Sequence, residues 1–339
     1  MINTVQRFCV RTLFDISRCQ KCVLRTISTP RLVEVGVFDK PKDGGKYDIG
    51  QLFFHKIFGY RGVILYPWLA KVYDRELATK TEVRALNDSK VEQTDVKGVK
   101  QMYYEVLIDS RDYPHILKRA QTEAVTFLVH RQNRVDLYTI PGLDYVAHED
   151  VLPYTGTDKS PLHHDYCDYF LTYKAGQSPQ YIAKDTLHTW HENFHPWLQL
   201  NNVQRNTSNN IRVTVIPFYM GRQEKEDKNI YWWRYCIRLE NLGTETVQLT
   251  ERNWSIFCVS GTLETQRGRG VIGQEPVLSP ELPAFQYSSH VSLEAPSGQM
   301  WGTFKMERRD GTTFDCNIPN FSLESTTDSD PPHGFVVGN

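Results

Sequence analysis

The sequence predicts a mainly β protein of two modules, an N-terminal SH3-like barrel and a C-terminal fibronectin-III/immunoglobulin-like sandwich, joined by a short helix. Three observations carry this. A length of 339 residues suits two domains of ordinary size, each with its own core. Short β-rich runs broken by glycine and polar turns recur through both halves. Tyr231, Trp233, Tyr235, Ile237 and Leu239 alternate with Trp232, Arg234, Cys236, Arg238 and Glu240, the period of two of a strand with one buried and one partly wet face.

Composition is globular, with 40% hydrophobic and 23% charged residues, and contains no apolar run long enough to cross a bilayer. Charge is nearly balanced, 39 Lys plus Arg against 40 Asp plus Glu, but unevenly placed. Residues 1–32 hold Arg7, Arg11, Arg18, Lys21, Arg25 and Arg31 against the single acid Asp15, with Val5, Phe8, Leu13 and Ile16 among them. Such a basic amphipathic start is what a mitochondrial import leader needs; an ordinary basic first helix reads the same way. The rest of the chain is net acidic, which disfavours strong non-specific DNA binding, since that relies on clustered cations.

The first module, residues 46–175, is expected to place strands within Tyr47–Tyr66, at Met102–Asp109, at Thr126–His130 and at Asp136–Ile140. Residues 68–100 read as a charged insertion, either a docking loop or a solvated excursion. Lys56, Arg61, Lys71 and Arg75 with Tyr60, Tyr66 and Trp68 are candidates for a basic stacking face that reads DNA; core aromatics under a mixed-charge surface are the other reading. Gln51–Phe58 is a near miss for a sliding-clamp box, and reads as core strand.

Residues 176–205 form the linker. A helix is expected from Ser178-Pro179, with Leu187, Trp190, Phe194 and Trp197 at helical spacing. His191-Glu192-Asn193-Phe194-His195 matches H-E-x-x-H, in which two histidines on one helical face hold zinc and the glutamate activates water. Pro196 places the motif at a helix end, and the extended motif would need Gly and His where Leu198 and Asn201 stand. No metal, cofactor or catalytic group is therefore assigned, and a zinc protease remains only a minor alternative. Cys19-Gln-Lys-Cys22 has no second pair to complete a zinc ribbon, and the remaining cysteines fit buried thiols.

In the sandwich, residues 206–325, strands are expected at 231–240, 247–249 and 254–259. Gly268-Arg-Gly-Val-Ile-Gly273 fits G-x-G-x-x-G, but Pro276 excludes the helix a dinucleotide site requires. The glycines fit a loop of unusual backbone angles, and Arg267, Gly268, Arg269, Gly270 and Gly273 form a candidate anion-binding loop. The polar tail, 326–339, is expected to be disordered.

Several stretches resemble known families. Tyr235-Cys-Ile-Arg-Leu-Glu-Asn241, Arg252-Asn-Trp254, Gly268-Arg-Gly-Val-Ile-Gly273, Gly298-Gln-Met-Trp-Gly302 and Ile318-Pro-Asn-Phe-Ser-Leu323 are similar to the ApaG family, which implies a fibronectin-III-like sandwich without settled enzymatic activity. Ile49-Gly-Gln51, His55-Lys56, Gly59-Tyr-Arg-Gly-Val63 and Tyr104-Glu-Val-Leu-Ile-Asp109 resemble the YccV (HspQ) family, which implies an SH3-like barrel with described binding of hemimethylated DNA. Leader, barrel and sandwich in this order resemble a family of two-module adaptors. That resemblance implies a non-enzymatic protein of the mitochondrial matrix and the nucleus. The partners it implies are the small subunit of DNA polymerase delta, the sliding clamp, a primase-polymerase and the mitochondrial ClpXP protease. Trp68, Tyr73, Trp232 and Arg234 are the candidate docking anchors, because interfaces favour Trp, Tyr and Arg. A module that binds DNA directly is the alternative.

Overall fold

The computed structural model describes residues 7–10, 33–75, 97–116, 118–120, 125–131, 134–225 and 228–325. Most of the expected leader, including the Cys19–Cys22 pair, lies outside the described residues, as do the insertion from 76 to 96 and the tail from 326.

β1 (Arg7–Val10), inside the expected leader, and β2 (Val33–Phe38) precede the first module, which contains β3 (Leu52–His55), β4 (Arg61–Asp74) and β5 (Val99–Ile108). There follow α1 (Tyr113–Ile116), β6 (Val125–Arg131), β7 (Arg134–Ile140), β8 (Leu143–Ala147) and β9 (Val151–Gly156). β3 pairs with β4 and β9, and β5 pairs with β4 and β8, which gives the barrel its order β9-β3-β4-β5-β8. The expected strands near 126–130 and 136–140 do form, but as a separate β6–β7 hairpin. The barrel uses β8 and β9 in their place. The insertion is also shorter than expected, because Trp68–Asp74 continues β4 and pairs with β5 down to Val72↔Val99.

Between the modules run α2 (Cys167–Phe170), β10 (Leu171–Tyr173), β11 (Tyr181–Ala183) and α3 (Asp185–Leu198). Ser178-Pro179 is a cis peptide; Tyr181–Ala183 after it forms β11, and the helix begins at Asp185, later than its proline suggested. Leu187, Trp190, Phe194 and Trp197 all bury their side chains in the first core, with Leu65, Tyr145 and Phe170. At roughly 1.5–3 kcal/mol for each large apolar side chain, this stripe fastens α3 to the barrel.

The sandwich is built from β12 (Asn202–Ser208), β13 (Ile211–Lys225), β14 (Lys228–Asn241), β15 (Val247–Cys258) and β16 (Leu263–Arg269). It is completed by β17 (Val277–Leu278), β18 (Ala284–Leu293), β19 (Ser297–Arg308) and β20 (Thr313–Glu324). One sheet runs β12-β13-β14-β18 and the other β16-β15-β19-β20, with β17 on β15. Trp233, Tyr235, Ile237 and Leu239 meet Trp254, Phe304, Met306 and Phe321 between them.

The two modules share one sheet. β12 lies parallel to the end of β4, with Asn202↔Lys71, Val203↔Val72, Gln204↔Tyr73 and Arg205↔Asp74 in register. The outer face of β13 and β14 then turns against the barrel, so Ile216, Phe218 and Cys236 belong to the first module's core. The face of β14 expected to be partly wet is thus covered.

Candidate functional site: the seam between the modules and the surfaces around it

Polar side chains on β14 and β18 reach groups that the barrel holds out to them. Arg238 Nη1 donates to Asp150 Oδ2 at 2.8 Å and Arg238 Nη2 to Glu240 Oε1 at 3.3 Å, while its guanidinium stands 5.1 Å from the Phe58 ring. Gln286 Nε2 donates to Asp144 Oδ1 at 2.9 Å, and Tyr60 Oη donates to the other oxygen of Asp144 at 3.0 Å. The Gln286 backbone N–H donates to the Arg119 carbonyl at 2.7 Å. On the β12 side, Arg205 Nη2 donates to Tyr103 Oη at 3.2 Å and lies 3.8 Å from Glu149.

A second knot surrounds Glu105, which is fully buried. Trp68 Nε1 donates to its Oε2 at 3.4 Å, and His191 Nε2 lies 4.0 Å from the same oxygen. His191 stacks on Tyr66 with ring centroids 3.8 Å apart. Arg234, 2% exposed, rests its guanidinium 4.2 Å from the Phe218 ring.

Burial sets the protonation of this seam. It pushes the Glu105 carboxyl up to about 8, against the opposing Trp68 hydrogen bond and the Arg234 charge. It pushes His55 down to about 3 and raises Asp144. Burial acts to raise Asp150, but the charge and hydrogen bond of Arg238 together with the charges of His55 and Lys56 outweigh it and hold that carboxyl below its usual range.

The structure brings Trp68 and Arg234 together around Glu105 and removes both from the surface, Trp68 being 6% exposed. As docking anchors these two assignments are corrected: each is spent on the chain's own seam. Tyr73 is half-buried, its ring lying over Gly98, where an added Cβ would meet it at 2.9 Å. Trp232 is half-buried beside His290, ring centroids 5.9 Å apart, and lines a cavity of about 640 Å³ with Tyr235, Glu264 and Glu294.

The candidate basic stacking face does not assemble from its named residues. Tyr60 is buried, and Arg61 is buried against Asp112 with Nη2 at 2.7 Å from Oδ1, whereas Lys56, Lys71 and Arg75 are exposed. In the H-E-x-x-H stretch, Glu192 is exposed while His191 faces Glu105, so these two side chains do not converge. The side chain of His195 lies outside the described residues, and among those described no group of three His, Cys, Asp or Glu is placed to hold a metal. Cys167, Cys236, Cys258 and Cys316 are buried free thiols.

The candidate anion loop is occupied internally. Arg267 Nη2 donates to Glu251 Oε2 at 2.6 Å, and Arg269 pairs with Glu275. Gly270 and Gly273 have φ of +56° and +76°, and a Cβ on Gly270 would meet the Gln274 carbonyl at 2.1 Å, so tight turning explains that glycine. Glu105, Asp144, Asp150 and Gln286 were not singled out from sequence; the available signal was a charged residue inside an otherwise apolar strand, as in Tyr103-Tyr-Glu-Val-Leu-Ile108.

Comparison with known proteins defines the class first. Residues 45–177 match the family described as hemimethylated DNA-binding protein YccV like, and residues 221–308 match the ApaG domain, so this is a two-domain YccV-like and ApaG protein. The ApaG protein of Paramagnetospirillum magneticum is 44% identical over 119 residues, 35% of this chain and 91% of that one. Polymerase delta-interacting protein 2 of Mus musculus and that of Homo sapiens are each 59% identical over 305 residues, 90% of this chain and 83% of theirs. The chain belongs to the polymerase delta-interacting protein 2 family.

Proposed function

We propose that this protein is a non-enzymatic docking adaptor for DNA replication and repair proteins, with the small subunit of DNA polymerase delta as its first partner. The observation that carries this is 59% identity, over 90% of the chain, to relatives whose name states an interaction with polymerase delta. Burial of Glu105, Asp144 and His55 is in keeping with it: each of these perturbed groups is withdrawn from solvent. The sliding clamp, a primase-polymerase and the mitochondrial ClpXP protease are further proposed partners. The basic, acid-poor first 32 residues favour the mitochondrial matrix, with the nucleus as second location.

Capture of purified polymerase delta small subunit by the full chain tests the reading. Saturable binding is expected, and its absence at micromolar concentrations would sink it. Direct DNA binding is the second reading, favoured by the YccV-like match over 45–177. DNA affinity measured across salt concentrations separates the two, because a phosphate-gripping protein shows a steep salt slope and an adaptor weak binding throughout.

A further inference from the structure

The outward face of the sheet β16-β15-β19-β20 takes no part in the seam. Ser255 pairs with Thr265 on one side and Trp301 on the other, which sets these three on one rung. Met300 and Ile256 point into the sandwich core, whereas Asn253, Gln299 and Asn317 are exposed and Trp301, Thr303 and Asn320 half-exposed. A concavity of about 760 Å³ lies over this rung and extends to Arg75.

Two local features shape it. The β19–β20 register slips between Met300↔Phe321 and Gly302↔Ile318, leaving an extra residue on β20 opposite Trp301. Such bulges redirect side chains. Here Asn320 Nδ2 donates to Gln299 Oε1 at 3.1 Å, while Asn320 Oδ1 is shielded from solvent with no donor among the described residues. At Gly302 an added Cβ would meet the Asn253 carbonyl at 2.0 Å, so β15 and β19 approach more closely than any other residue allows.

The chemistry of the lining narrows what fits. Among the described residues lining it, Arg75 supplies the only charged side chain; carboxamides, hydroxyls and indole make up most of the rest. A phosphate polymer is held by clustered cations; on this face, Arg267 and Arg269 are already paired with Glu251 and Glu275. A carboxamide presents donor and acceptor side by side, matching the N–H and C=O of an extended main chain, and a half-exposed indole offers a rigid flat surface for an apolar side chain. Four strands at a spacing of about 4.8 Å make a trough about 14 Å across, the reach of about four extended residues.

We propose that this trough binds a short, extended, uncharged segment of a partner protein, with Trp301 stacking on an apolar side chain and Asn253, Gln299 and Asn320 pairing with main-chain amides. The assignment rests on the docking reading above and specifies the chemistry of what is docked.

The test uses the full chain and its Trp301→Ala and Asn253→Ala variants against intact polymerase delta small subunit, and against overlapping short peptides tiling that subunit. The wild-type chain is expected to bind one or more uncharged peptides as well as the subunit. Trp301→Ala should weaken both by about tenfold or more, and Asn253→Ala by a smaller factor, with unchanged melting temperatures. If Trp301→Ala melts early, Asn253→Ala, which removes an exposed side chain, decides. Subunit binding unchanged in both variants overturns the trough and leaves the docking reading standing. Failure of the wild-type chain to bind either probe overturns both. Displacement of the peptide by single-stranded oligothymidylate of equal affinity, lost in Trp301→Ala, overturns the peptide as occupant in favour of nucleic acid.

Discussion

β14 is buried on both faces, and the two faces are made of different materials. Toward the sandwich, Trp233, Tyr235, Ile237 and Leu239 enter an apolar core. Toward the barrel, Arg234, Cys236, Arg238 and Glu240 enter a seam of ions and amides. The apolar face holds by area and packing, which are tolerant of direction. The polar face sets charges against specific groups, Arg238 against Asp150 and Arg234 over the Phe218 ring, the latter without a hydrogen bond among the described residues, so it fixes how the modules sit together at a net stability that burial of the charges reduces.

That contrast can be broken at the apolar face first. Trp233→Ala removes a buried indole from the sandwich and is expected to cost about 3–5 kcal/mol, measured by denaturant unfolding. A loss below about 1 kcal/mol would show that the core does not carry the sandwich.

The seam gives the next largest effect, and it depends on pH. Burial raises Glu105 from an ordinary value of 4.5 to about 8, so across that window the folded chain keeps a proton that the unfolded chain has released. Glu105's contribution to stability therefore falls as pH rises from about 4.5 to about 8 and then levels off, while His55, pushed from 6.5 down to about 3, adds an opposing rise between those two values. Glu105→Gln should flatten this slope, making the variant more stable than wild type at pH 8 by on the order of 3 kcal/mol. Parallel stability–pH curves for the two proteins would contradict the assignment.

Asp150→Asn sharpens the comparison at a smaller scale. It removes one of the two carboxylates on Arg238, and with Glu240 still 3.3 Å away the cost should be about 2 kcal/mol. The same variant should increase hydrogen exchange at the amides of β9 and β18 while sparing β15 and β19. At the exposed rim, Arg267→Ala breaks a solvent-screened pair with Glu251 and is expected to leave the melting temperature unchanged, as differential scanning calorimetry would show.

Much of the fold was legible in the sequence because strands and an amphipathic helix announce themselves by local period. Tyr231–Glu240 and the Leu187, Trp190, Phe194, Trp197 stripe fall where their spacing puts them. β8 and β9 were missed for identifiable reasons. Leu143-Asp-Tyr-Val-Ala147 is buried at every position and so shows no alternation, and Pro153 argues against a strand unless its neighbour demands no N–H there. The site was far less legible. Trp68 and Arg234 have the composition of docking anchors, but both turn to Glu105 of the same chain, 37 and 129 positions away respectively, which no local window can see. Trp301 sits in an ordinary alternating strand, and only the β19–β20 bulge and the closeness forced by Gly302 turn its surroundings into a trough.

The four-residue parallel join of β4 to β12 has a practical consequence for anyone dissecting the molecule. Separate expression of either half strips a strand of its neighbour and bares a wall of charge backed by Ile216, Phe218 and Cys236. Fragments of that kind stick to one another and to bystanders, so a partner mapped with truncated halves would report the torn edge. Point substitutions in the intact chain are the sounder way to find what it holds.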